Sequence, residues 1–273
     1  MSAKAAFLGD RGIVSVTGAE AGAFLQNLVT NDVLGLAPGE ARFAALLTPQ
    51  GKIVVDFFVV RADDENSPRF LIDCPAPLAA DLTKKLTLYR LRAKLDIADR
   101  SADLGVAAYW HGDAPAGAWR DPREPEMGWR RIASREELAG LGDAGYAAHR
   151  IACGVPQGGV DFVYGEAFPH DVNMDALHGL DFRKGCYVGQ EVVSRVQHRG
   201  TARKRVLRAH FSGDAPTMGA EITANDVVIG AMGSTAQGAG LALVRVDKLE
   251  EAMAAGAAIR CGATALHFEA PGV

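Results

Sequence analysis

Residues 184–191 read Lys-Gly-Cys-Tyr-Val-Gly-Gln-Glu, the densest run of chemistry-bearing side chains in the chain. A cysteine acts through its thiolate, and the neighbouring cations of Arg183 and Lys184 lower the energy of that anion at Cys186. Gly185 and Gly189 permit tight backbone and the close approach of a ligand or partner. From Gly189 onward the segment starts a helix, whose first-turn N–H groups favour negative charge on the Cys186 side. An exposed, positively surrounded thiolate suits a nucleophile or a soft-metal ligand. One thiol is too few for a whole cluster site, so further ligands would come from another chain or molecule. The competing reading is a buried cysteine acting as a small hydrophobe, which does not call for Lys-Gly and Gly-Gln-Glu on either side.

Other candidates are dispersed. Asp56 interrupts an apolar strand, where a carboxylate is either hydrogen-bonded in the interior or at an edge in water. Asn31 and Asp32 form a ligand pair or a turn. Tyr146 offers an aromatic face or is a core aromatic. Arg150 is a ligand residue or an ordinary ion-pair partner, and Asp171 and Asn173 are site residues or turn residues. Between residues 183 and 210 eight basic side chains face only Glu191, although the net charge is −4. Such a belt meets an anionic ligand or partner, or its cations pair with carboxylates elsewhere. The four cysteines form no CxxC pair, and HExxH, GxSxG, a P-loop and a dinucleotide fingerprint are all missing.

The elements that position these residues follow from periodicity. Residues 19–29 place Ala21, Phe24, Leu25, Leu28 and Val29 on one helical face, with Thr17 and Glu20 at capping-box spacing. Strands are expected at 13–16, 41–47, 53–61, 69–74 and 104–110, the third buried on both faces. Pro77 opens a helix with an Asp81–Lys85 pair on its surface. Residues 111–131, rich in proline, glycine and charge, read as a surface loop, and Ser134 with Glu137 forms a second capping box. After about residue 200, short apolar runs between glycine turns predict a small β-barrel, so the domains are expected at 1–199 and 200–273. With 48% hydrophobic and 23% charged residues, the chain is globular rather than disordered. The first residues are too weakly apolar for a secretory signal, and no stretch is long enough to span a membrane, so a cytoplasmic protein with reduced thiols is expected.

The octapeptide resembles the signature of the YgfZ family, which is similar to the folate-dependent aminomethyltransferase (T-protein) of the glycine cleavage system. The likeness extends through residues 7–206. It includes Phe24-Leu25-Gln26, Thr30-Asn31-Asp32, Thr48-Pro49-Gln50-Gly51-Lys52, Tyr89-Arg90-Leu91-Arg92, Arg150-Ile151-Ala152, Gly154-Val155-Pro156 and the block from Pro169 to Asp175. It implies an α+β, three-lobed aminomethyltransferase-like fold ending in a β-barrel. It also implies a tetrahydrofolate-binding accessory protein for assembly or repair of iron–sulfur clusters. An A-type iron–sulfur scaffold and client iron–sulfur enzymes, tRNA-modifying ones among them, would be its partners. In that setting Cys186 is a cluster ligand shared with a partner, or a redox thiol, in a transient cluster. Lys184 and the Gly189-Gln190-Glu191 turn shape and tune it. Arg11 and Tyr146 flank the pterin, with Asp32, Arg150, Asn173, Gln190 and Glu191 as further folate contacts. Ala152 stands where the T-protein carries a glutamate for the pterin, and of its paired acids only Asp56 remains. Aminomethyl transfer needs a carboxylate to steer the attacking nitrogen, so classical transferase activity is not expected. Two rivals stay open: a true one-carbon transferase, and an RNA-binding module using the basic belt, although direct nucleic-acid binding is not the expected use.

Overall fold

In the computed structural model, residues 3–62, 68–143, 145–200 and 202–269 are described. The chain divides into two compact units, residues 1–146 with 176–190, and residues 147–175 with 191–273.

The first unit is built from β1 (Lys4–Phe7), β2 (Arg11–Thr17), α1 (Ala21–Gln26), β3 (Ala41–Leu47), β4 (Ile53–Arg61), β5 (Arg69–Pro75), α2 (Ala79–Arg90), β6 (Asp96–Asp99), β7 (Leu104–Trp110), β8 (Trp119–Arg120), β9 (Trp129–Ser134) and α3 (Arg135–Leu138). Five strands form an antiparallel sheet in the order β3-β4-β5-β2-β6, and four form a second in the order β1-β7-β9-β8. The period-2 alternation of a strand sends Val14 and Val16 of β2, with Val55, Phe57 and Val59 of β4, into a core roofed by Leu25 of α1 and Leu82 and Leu86 of α2. Ile13, Val60 and Leu71 point the other way and pack on Val106, Ala108, Trp110 and Trp119 of the second sheet. A sheet covered on both faces gives strands without polar alternation, which is why residues 53–61 are so apolar.

Local details differ from expectation. Glu20 makes no capping box. It stands at the N-cap position of α1 without a side-chain cap bond and instead accepts a hydrogen bond from the Lys94 N–H. Asp81 pairs with Lys84 rather than Lys85, at 3.3 Å. Ser134 does cap α3, its hydroxyl accepting from the Glu137 N–H. Residues 111–131 are not simply a surface loop. They contain β8, a 3-10 turn at Pro125–Met127 and the start of β9, and Trp119, Asp121, Arg123, Met127 and Arg130 are buried. Three of the charges that suggested solvent, Asp121, Arg123 and Arg130, are paired in the interior.

The second unit contains α4 (Tyr146–Ala152, after its first residue), α5 (Gln190–Arg199, likewise), β10 (Lys204–His210), β11 (Glu221–Ala224), β12 (Val227–Ala236), β13 (Ala239–Arg245), α6 (Val246–Ala254), β14 (Ile259–Cys261), β15 (Thr264–Ala265) and β16 (His267–Phe268). Its strands make one antiparallel sheet in the order β15-β14-β11-β12-β13-β10-β16. The sheet encloses Ile222, Ile229, Met232, Val244, Leu249 and Phe268. Among the described residues no helix is long and apolar enough to cross a membrane.

Candidate functional site

Cys186 is exposed, and its segment is fixed from both sides. Lys184 directs its ammonium at the carbonyl oxygens of Gln26 (2.7 Å), Val29 (2.5 Å) and Asn31 (3.0 Å), where α1 ends. The Gln26 carbonyl is the last of α1 and lacks an intrahelical partner, the other two belong to the loop that follows, and one cation satisfies all three acceptors. Burial pushes the Lys184 ammonium down to about 8, against Asp32 and Asp181, which raise it. Its Nζ also lies 5.1 Å from the Tyr187 ring centroid, and Tyr187 is buried. Thr30 and Asn31 add hydrogen bonds to the carbonyls of Gly179 and His178. On the other side of Cys186, Gly189 has φ +84°, and a Cβ there would stand 2.6 Å from the Thr48 carbonyl oxygen and 3.1 Å from Gly51 Cα. Only glycine fits so close to backbone at positive φ. A Cβ at Gly185 would meet nothing within 4 Å, so the thiol is carried on an open stretch between two anchors.

The three donors of Lys184 go to backbone carbonyls, which fixes the segment two residues before Cys186. Asp32 accepts from Gln26 Nε2 and the Gly35 N–H, the turn alternative. Gln190 opens α5, its N–H bonded to the Tyr187 carbonyl at 3.3 Å, and Glu191 pairs with Arg195 at 2.7 Å on the exposed surface.

A second constellation lies between the two sheets of the first unit. Asp73 is fully buried and accepts from Arg11 Nε (2.6 Å) and from Arg130 Nη2 (2.6 Å) and Nε (3.1 Å). Arg123 forks onto Asp121 at 3.0 and 2.7 Å. Tyr146 Oη accepts from Arg130 Nη1 at 3.0 Å, and its ring meets Trp110 edge-on at 5.9 Å. The guanidinium groups of Arg130 and Arg123 lie 4.5 and 4.7 Å from the Phe58 ring centroid. By strand alternation Asp56 shares the face of β4 that carries Phe58 and Val60, and its charge acts on Arg11. Asp56 is buried, on an internal strand rather than a wet edge. Burial pushes the Asp73 carboxyl up, but Arg11 and then Arg130 outweigh it and hold it below the usual carboxylate range. Asp121 follows the same logic, burial opposed by Arg123.

Arg11, Asp56 and Tyr146 are therefore brought into one buried network, and Asp73, Asp121, Arg123 and Arg130 complete it. The signal for Asp73 was available in the chain: like Asp56, it interrupts an apolar strand. Asp121, Arg123 and Arg130 were hidden by a stretch that reads as loop.

In the second unit the nominated residues are internal braces. Arg150 is buried and donates to the Val155 carbonyl (2.6 Å), Asp161 (2.7 Å) and Ser234 Oγ (2.9 Å). Asn173, in the left-handed region at φ 63°, donates to the Val206 carbonyl at 2.6 Å. Members of the basic belt are paired as well: Arg205 forks onto Asp175, and Arg208 onto Glu269. Among the described residues no group of three or more His, Cys, Asp or Glu is placed to hold a metal ion.

Residues 10–107 match the GCVT N-terminal domain, and residues 203–273 match the CAF17 C-terminal beta-barrel domain. The mitochondrial iron–sulfur cluster assembly factor IBA57 of Homo sapiens is 34% identical over 278 residues, 89% of this chain and 78% of the relative. The IBA57 homologue of Mycosarcoma maydis is 35% identical over 223 residues, 74% of this chain and 55% of the relative. The chain thus spans about half the length of such fungal relatives. In fold it is similar to the glycine cleavage system aminomethyltransferase T of Bartonella henselae. The TM-score is 0.73 at 16% identity, covering 97% of this chain and 84% of that one. The expected α+β aminomethyltransferase-like fold with a C-terminal β-barrel is the fold observed. The cytoplasmic expectation is corrected: these relatives are named as mitochondrial proteins, and the weak apolar character of the first residues argued only against a secretory signal.

Proposed function

The chain belongs to the family of the iron–sulfur cluster assembly factor IBA57, and from that premise we propose that it handles an iron–sulfur cluster passing between an A-type scaffold and client enzymes. Within the family we place it nearest the YgfZ proteins, with tRNA-modifying enzymes among the clients. The observation that carries this reading is the exposed thiol of Cys186 on a segment pinned by Lys184 and Gly189. A thiolate held at a fixed place beside open solvent supplies one ligand to a cluster whose other ligands belong to the partner. Anaerobic titration of a [2Fe–2S]-loaded A-type scaffold, followed by visible circular dichroism, tests it. The wild type changes the cluster spectrum, and Cys186→Ala leaves it as in the scaffold alone. An identical response from the variant would refute the ligand role.

Tetrahydrofolate is proposed as the small-molecule ligand. Two planar groups of the first unit support a pterin site: Tyr146 and Arg11 are held in place by charged partners, and Asp56 lies on the neighbouring strand face with its charge acting on Arg11. Arg150 and Asn173 instead donate within the protein. When bound, the folate supplies an electron-rich reduced pterin ring. Equilibrium dialysis with tetrahydrofolate, comparing the wild type with Tyr146→Ala and Asp56→Asn, measures this, and unaltered affinity in both would remove these residues from the site. A one-carbon transferase predicts instead that Asp56→Asn damages activity far more than Cys186→Ala does.

A further inference from the structure

The large apolar side chains that stand exposed on the first unit, among the described residues, are Leu34, Leu88, Tyr89, Leu91 and Phe182. All of them fall in segments that touch or adjoin α1. Leu34 is 60% exposed, and its Cδ2 lies 3.4 Å from where a Cβ on Gly22, the second residue of the helix, would stand. Phe182 is two residues from Lys184, which bonds the Gln26 carbonyl at the C-terminal end. Leu88 and Leu91 lead into a turn held at the N-terminal end, where Glu20 accepts from the Lys94 N–H and Gly18 packs on the Lys94 carbonyl and Leu95. α1 has six residues, about 9 Å at 1.5 Å each, so both ends fit within the roughly 800 Å² that a standard interface covers on one partner.

Leu91 is the telling member. It is 86% exposed and sits at φ +48°, a conformation unfavourable to a side chain as bulky as leucine. Its turn is nevertheless well supported. Arg90 donates to the Leu95 carbonyl at 3.3 Å, and the Ala93 N–H bonds the Arg90 carbonyl. Around the leucines cations outnumber carboxylates. Lys84 and Lys85 precede Leu88 by four and three residues on the same helical face. Arg90, Arg92 and Lys94 flank the turn, against Asp81, Asp96 and the Glu20 carboxylate at the Lys94 N–H. A rigid apolar knob on fixed backbone fits a shaped pocket rather than a fluid bilayer, and the cationic rim fits an acidic surround.

We propose that α1 and the turn after α2 form the docking face for a partner protein that presents an apolar pocket rimmed by Asp and Glu. Leu34, Leu88 and Leu91 are the anchors, and Arg92 and Lys94 the rim, so that a docked partner reaches Cys186. The proposal rests on the cluster-handling reading and takes the A-type scaffold as that partner. The test measures scaffold binding by biolayer interferometry for the wild type, Leu34→Ser/Leu91→Ser, Arg92→Glu/Lys94→Glu and Cys186→Ala. Both face variants are expected to bind about tenfold or more weakly with unchanged circular dichroism and melting, and the wild-type affinity to fall with salt. Leu88→Asp provides an independent variant should Leu34→Ser disturb α1. Face variants that bind within about twofold of the wild type, while Cys186→Ala alone weakens the complex, would overturn the docking face and leave the Cys186 reading standing. A wild type that never binds the scaffold would overturn both. Loss of binding to anionic phospholipid vesicles in the face variants, with scaffold binding intact, would assign the face to a membrane and refute the proposal.

Discussion

Replacing Asp73 by asparagine keeps the shape of the side chain and removes its charge. In the folded protein that charge is fully buried and answers two guanidinium groups, Arg11 at 2.6 Å and Arg130 at 2.6 Å. Arg130 is buried to 3% exposure and Arg11 to 13%, so neither recovers its hydration when the carboxylate is gone. Asparagine offers one carbonyl oxygen where three donors now converge, and its amide NH₂ adds donors to a site that holds donors already. Removing one partner of a buried ion pair costs about 3–5 kcal/mol, chiefly from the charge left behind. Partial exposure of Arg11 and the remaining Arg130–Asp121 contact at 3.9 Å place the expected loss near the lower figure. Urea denaturation read by tryptophan fluorescence measures it, since Trp110 and Trp119 belong to the same intersheet core. The double variant Asp73→Asn/Arg130→Met removes the more buried of the two stranded charges together with its partner, so its loss should be smaller than the sum of the two single losses. A loss under about 1 kcal/mol for Asp73→Asn, or strict additivity in the cycle, would refute the view that this network is held by mutual neutralisation.

Acid should act on the same groups. Asp73 and Asp121 titrate below the usual carboxylate range when folded. The unfolded chain therefore takes up their protons first, and their stabilisation is present above about pH 4 and lost as pH falls through their folded values. The midpoint of urea unfolding should drop over that interval in the wild type and less steeply in Asp73→Asn; parallel pH profiles would count against it. Lys184→Met abolishes three bonds to carbonyls at the end of α1 and in the loop after it, with an expected loss of roughly 1.5–3 kcal/mol and faster amide exchange across residues 181–190; unaltered exchange there would deny the anchoring role. Gly189→Ala introduces a Cβ at positive φ against the Thr48 carbonyl. It should cost more than about 1 kcal/mol and change the rate of Cys186 alkylation by iodoacetamide, whereas a wild-type rate with wild-type stability would show that the loop has slack.

The sequence alone determined the elements whose signal is local. Residues 41–47, 53–61 and 104–110 read as strands because they are short, largely apolar runs bounded by turn residues, and each matches its observed strand residue for residue. Ser134 announced its cap because the donor it serves is three residues away. The octapeptide announced an exposed cysteine between conformational specialists, and Cys186 is exposed. Whatever depends on partners distant in the chain was decided by tertiary structure. Asp73 and Arg130 are 57 residues apart and meet only because two sheets stack. Residues 111–131 look like loop partly because Asp121, Arg123 and Arg130 find their counter-ions in the interior and not in water. Lys184 reads as a neighbour to the thiol, yet its ammonium is drawn to carbonyls more than 150 residues upstream. A charged group's role is set by which opposite charge or open dipole the fold delivers within reach, and spacing along the chain carries no record of that delivery.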